Sequence, residues 1–102
     1  MHLVQILLPL HDDKGRGFPK DKYEGVAAEL TDQFGGVTTY MRTPAEGRWQ
    51  PGGEPVTEED IVVFEAMVEM LDPRWWSNYR KSLERAFGQE RIVVRAQPIQ
   101  LL

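Results

Sequence analysis

Two corners in this chain share a pattern, and that pattern constrains the fold more than any other feature. Leu30 is followed after three residues by Phe34-Gly35, and Leu83 after three by Phe87-Gly88. Each corner closes a stretch of helical period and opens a stretch rich in β-branched residues. Before the first corner, Tyr23, Val26, Ala27, Leu30 and Phe34 fall within an arc of roughly 100° on a helix. Before the second, Trp75, Trp76, Tyr79, Leu83, Ala86 and Phe87 fall within roughly 120°, and every charged residue from Arg74 to Arg85 lies outside that arc. A glycine at each stop fits the left-handed conformation that commonly ends a helix. At the first corner, Gly35 or Gly36 is expected to take positive φ.

The strands follow from the stretches between these helices. The run 3–10, "LVQILLPL", is short and apolar and reads as a central strand. Residues 11–20 have turn composition, and the first helix starts from Asp21, which stands three residues before Glu24 in a capping-box spacing. The segments 37–42, 60–70 and 91–96 carry the β-branched and aromatic residues of strands. Asp72-Pro73 reads as an N-cap followed by proline in the first turn of the second helix. Residues 43–59 hold three prolines and three glycines and form a long β2-β3 connection, with a short hairpin expected near Gly47 and an anchor at Trp49.

The order β-α-β-β-α-β is that of a ferredoxin-like α+β domain spanning residues 1–102, with a four-stranded antiparallel sheet and both helices on one face. The period of two then sorts the strand residues. Val4, Ile6 and Leu8, with Val37, Thr39 and Met41, with Val62, Phe64, Ala66 and Val68, and with Ile92, Val94 and Ala96, face the helices. Leu3, Gln5 and Leu7, Thr38, Tyr40 and Arg42, Val63, Glu65 and Met67, and Val93, Arg95 and Gln97 face the other way.

That second face alternates aliphatic with polar residues, so it is neither a plain solvent face nor a plain core. Uncovered aliphatic surface of this extent marks an interaction site. A second subunit packed sheet to sheet is the economical cover. Gln5, His11, Tyr40, Arg42, Glu65, Met67 and Arg95 are the candidate residues of this pocket or interface. Glu65 and Arg95 read either as a structural ion pair in a dimer interface or as the polar floor of a pocket that orients a small anion or carbonyl.

Other features narrow the function classes. The net charge is −4, whereas phosphate backbones call for clustered Lys and Arg. RNA-recognition modules with this strand order need aromatics on the open face of the first and third strands; here Gln5 and Glu65 stand there, so no nucleic-acid partner is expected. The loop "HDDKGRGF" lacks the pattern of the acylphosphatase phosphate loop, and "KGRG" matches neither the dinucleotide fingerprint nor the P-loop. His11, Asp12 and Asp13 are adjacent and cannot readily converge on one ion, so they read as a solvated loop rather than a metal site. His11 could serve as a general base, its ordinary pKa lying near neutrality. The chain holds no cysteine, which removes disulfide and thiolate chemistry. Its first apolar run, 3–10, is too short to span a membrane and lacks the marks of a signal peptide. The expectation is a cytoplasmic protein without cofactor or metal.

The stretch "FGGVTTYMRTPAEGRWQ", its following Glu-rich segment and "IVVFEAMVE" resemble small bacterial ferredoxin-like proteins of uncharacterised families. These carry a Phe-Gly-Gly-x-Thr strand start and a Gly-x-Trp in the next hairpin. In layout the chain is similar to dimeric α/β-barrel proteins, whose sheets pack around a cavity. The leading expectation is a small homodimer of ferredoxin-like subunits without established catalysis that acts as a binding or interaction module. The alternative the resemblance implies is a cofactor-independent monooxygenase- or isomerase-like enzyme using a cavity on the open face for a small-molecule ligand. No catalytic signature of those enzymes matches this chain residue by residue.

Overall fold

A computed structural model describes residues 1–42 and 61–102 of the chain. The elements run β1 (His2–Pro9), α1 (Lys20–Phe34), β2 (Thr38–Arg42), β3 (Ile61–Val68), α2 (Pro73–Ala86) and β4 (Val93–Pro98). They form one four-stranded antiparallel sheet in the order β2-β3-β1-β4. This is the ferredoxin-like arrangement expected from the periods. The hairpin near Gly47 and the Trp49 anchor fall outside the described residues.

One core holds the two helices against one face. Val4, Ile6, Leu8, Val62, Phe64 and Val68 from the sheet meet Val26 and Leu30 of α1 and Trp76, Tyr79 and Leu83 of α2. Burying each large aliphatic or aromatic side chain contributes about 1.5–3 kcal/mol. Aromatic contacts tie the helices together at both ends. Phe34 stacks on Trp76 at a 5.0 Å centroid distance and meets Trp75 edge-on at 5.1 Å. At the other end Phe87 takes Phe18 edge-on at 5.0 Å and Tyr23 at 5.5 Å. Trp76 and Phe87 are buried; Trp75, at the margin of its arc, is half-buried.

The two corners differ in detail. Gly35 is the C-cap of α1 with φ 84°, and its N–H donates to the Thr31 carbonyl; Gly36 has no positive φ. In α2 the C-cap is Phe87, with φ −100°, and Gly88 one residue later takes the positive φ of 59°. There Gly88 N–H donates to Arg85 O and Gln89 N–H to Glu84 O, the paired bonds of a Schellman motif. Asp72 caps α2 as expected, accepting from the N–H groups of Arg74 and Trp75. The capping box expected at Asp21 and Glu24 does not form. Helix α1 begins one residue earlier, with Pro19 in the N-cap position and no side-chain cap, and Asp21 sits in the first turn, where its charge suits the helix dipole.

Strand β4 begins two residues later than the sequence pattern suggests, and its entry is fixed from α2. Glu84 Oε2 accepts from the Ile92 N–H at 2.9 Å and from Arg80 Nη1 at 2.8 Å. The Ile92 bond, more than the Arg80 partner, holds the Glu84 carboxyl below its ordinary pKa. Among the described residues, three assigned to the helix face or helix arc are exposed: Thr39, Ala86 and Ala96. Thr39 and Ala96 lie on the two edge strands, and Ala86 is in the last turn of α2, so the tight packing belongs to β1, β3 and the central helix faces.

Candidate functional site

The sheet face opposite the helices carries a row of polar residues across the strands. Register aligns Thr38 with Glu65, Glu65 with Gln5, and Gln5 with Arg95. The next row is Tyr40, Val63, Leu7 and Val93, and the row on the other side is Met67, Leu3 and Gln97. All of these point away from the helices because strand side chains alternate.

Within the row the side chains form a chain of hydrogen bonds. Arg95 Nε donates to Gln5 Oε1 at 2.9 Å. Gln5 Nε2 donates to Glu65 Oε2 at 2.6 Å and, more weakly, to the Tyr40 hydroxyl at 3.4 Å. The Tyr40 hydroxyl donates to Glu65 Oε2 at 3.3 Å. Glu65 and Arg95 are thus brought to one face but are not paired directly. Strand β1 lies between β3 and β4, and its Gln5 bridges the two charges with both ends of its amide. Within one chain the strand order keeps the two charges apart, on either side of β1. Glu65 is half-buried, while Tyr40 and Arg95 are exposed, so the row is reachable from solvent.

Two grooves flank Leu3 beside this row. The larger, about 580 Å³, is lined by Leu3, Val37, Thr38, Glu65 and Met67 and by the Phe34-Gly35-Gly36 corner. The smaller, about 280 Å³, lies toward β4 between Leu3, Gln5, Arg95, Ala96 and Gln97. Met67 stands at the edge of the larger groove with 52% of its surface exposed, and Val93 on β4 is 46% exposed. Val63, by contrast, is only 1% exposed although it belongs to this face. The uncovered apolar surface is therefore less continuous than the alternation suggests, and it concentrates at Met67 and Val93.

The remaining candidates lie elsewhere. Arg42 pairs through its backbone with Ile61 at the end of β2. His11 is exposed in the loop after β1, six residues beyond Gln5, or roughly 20 Å at the rise of a strand. It lines a separate groove with Asp12, Asp13 and residues 88–91. Asp12 is a loop-closing residue: its Oδ1 accepts from the N–H groups of Lys14 and Arg16, both at 2.9 Å. The Arg16 N–H bond leads the causes that lower its pKa. Among the described residues no group of three or more His, Asp or Glu could hold a metal ion, and no helix is long and apolar enough to cross a membrane.

No protein-family model and no curated protein sequence matches the chain. Among solved structures it is similar to a phage SAM lyase in complex with S-methyl-5'-thioadenosine. The TM-score is 0.58 at 16% identity, covering 94% of this chain and 79% of that one. At that identity the likeness is one of fold: a small α+β domain built on a four-stranded antiparallel sheet.

Proposed function

We propose that the chain is a homodimeric binding module of the cytoplasm, one of the small bacterial ferredoxin-like proteins of uncharacterised families, and that its open sheet face is the working surface. The observation that carries this reading is the polar row Arg95-Gln5-Glu65, joined by Tyr40 of the neighbouring row and held by mutual hydrogen bonds, set among Leu3, Leu7, Met67 and Val93. Ordered polar groups among aliphatic ones give an interface its register as well as its burial. The partners are a second copy of the chain and, within the enclosed space, a small molecule; neither nucleic acid nor a membrane is required. Sedimentation of the purified chain tests the reading. A dimer in the micromolar range is expected, and a chain that stays monomeric at high micromolar concentration contradicts it.

The second reading is an enzyme of the cofactor-independent monooxygenase or isomerase type that works in the same space. The two grooves beside the row favour it, because Glu65 lines one and Arg95 the other, each beside volume large enough for a ligand. The similar phage lyase was solved with S-methyl-5'-thioadenosine, so that compound is a first probe. Saturable calorimetric binding, lost in Glu65→Gln and in Arg95→Gln, is the expected result on this reading. Binding that neither substitution alters would remove the polar row from it.

A further inference from the structure

The two charges of the polar row are opposite in sign and lie on opposite sides of β1. Glu65 lies one strand to one side of Gln5 and Arg95 one strand to the other, each about 4.8 Å away across the sheet. Two sheets packed face to face lie about 10 Å apart with their strands nearly aligned, and the two-fold axis of such a pair runs between the sheets and parallel to them. Only two simple directions are open to it. An axis across the strands sets Glu65 opposite the partner's Glu65 and Arg95 opposite the partner's Arg95, with like charges facing. An axis along β1 keeps each row on itself and exchanges its two sides, so Glu65 meets the partner's Arg95 and Arg95 meets the partner's Glu65.

We infer that, on the dimer reading above, a second copy of this chain docks with its two-fold axis along β1, pairing Glu65 of each subunit with Arg95 of the other. A separate feature agrees with the same axis. Met67 shares a row with Leu3 and Gln97 and is 52% exposed. The axis along β1 sets it over the smaller groove of the partner, the one on the β4 side, whereas the axis across the strands sets it over the partner's Val63, which is already closed off. The intrachain bonds through Gln5 pre-position both charges: Arg95 gives only Nε to Gln5 and Glu65 accepts on Oε2 alone, among the described residues.

The test exchanges the charges. Glu65→Arg and Arg95→Glu are each expected to raise the dimer dissociation constant at least tenfold in sedimentation, because each sets like charges face to face. Mixing the two variants in equal amounts should restore a dimer, since both trans pairs are then opposite in sign, and the double variant E65R/R95E should recover alone. Rescue in the mixture also shows that each variant is folded, and the milder Glu65→Gln and Arg95→Gln should weaken association in the same order. A wild-type dimer whose single variants associate unchanged, or whose weakened variants are rescued by neither mixing nor doubling, overturns this arrangement and leaves the dimer reading standing. A wild-type chain that is monomeric at high micromolar concentration overturns the dimer reading itself.

Discussion

Phe64 and Val63 are neighbours in β3, and each is 1% exposed, yet they belong to two different surfaces. Phe64 faces the helices, where Leu30, Trp76 and Leu83 join the same core. Val63 faces the other way, in a row with Tyr40, Leu7 and Val93. The helix face is closed by the chain's own amphipathic helices and contains no charged side chain in its cluster. The open face carries a hydrogen-bonded row and keeps Met67 and Val93 half in water. Among the described residues the first face is closed by the chain's own helices, whereas on the second Val63 is closed off but the polar row, Met67 and Val93 stay accessible. The difference separates what holds the fold from what the fold presents.

The sharpest way to break that comparison is to remove volume from the closed face. Phe64→Ala and Phe87→Ala are each expected to cost about 3–5 kcal/mol, as large-to-small changes in a packed core do, read from the midpoint of a urea melt. A cost below about 1 kcal/mol would show that the helix-side core is loose. The corner beside the open face comes next. Gly35→Val should cost at least about 1 kcal/mol, because φ is 84° there and a β-branched residue resists that conformation. Gly36→Val should stay within about 0.5 kcal/mol, since no atom lies within 4 Å of an added Cβ and its φ is not positive.

A subtler effect concerns Tyr79, whose hydroxyl is buried in the closed face without a hydrogen-bond partner among the described residues. Burial, reinforced by the Glu29 charge, pushes its pKa above the ordinary value of 10.0. The folded state therefore keeps a proton that the unfolded chain releases, so stability is fully present below about pH 10 and falls as the pH rises beyond it. In Tyr79→Phe that alkaline loss should shrink, measured as urea midpoints from pH 8 upward; an unchanged slope would place the titration elsewhere. Met67→Lys should have the smallest effect on the subunit, within about 0.5 kcal/mol, while weakening self-association. If it instead destabilises the monomer like Phe64→Ala, the two faces are not distinct.

How much of this was legible in the sequence follows the same division. The closed face could be read because its cover is encoded nearby: the arcs of Tyr23 to Phe34 and Trp75 to Phe87 announce helices whose apolar stripes must meet an apolar sheet face. The period of two placed Gln5, Tyr40, Glu65 and Arg95 on one side, and register confirms that placement. The bridge through Gln5 was missed because two mid-strand charges suggest a pair until the intervening strand is counted. The α1 start was misread because Asp21 and Glu24 fit a capping pattern that Pro19 pre-empts. His11 is near the row in sequence but lies past the end of β1, where a loop held by Asp12 carries it away. What occupies the open face is not written in one chain's periodicity, since an interface has the same alternation whatever covers it.

The central claim is that the open face is covered in the assembled protein, and its exposed methionine reports on that directly. Met67 is 52% exposed on the open face, and Met70, three residues on, is 86% exposed beyond the end of β3. Oxidation of each by dilute peroxide, followed by mass spectrometry over a series of protein concentrations, compares the two within one molecule. Met67 is expected to become protected as concentration rises while Met70 keeps reacting at a constant rate. A Met67 rate that holds a fixed ratio to that of Met70 from the lowest to the highest concentration would contradict it.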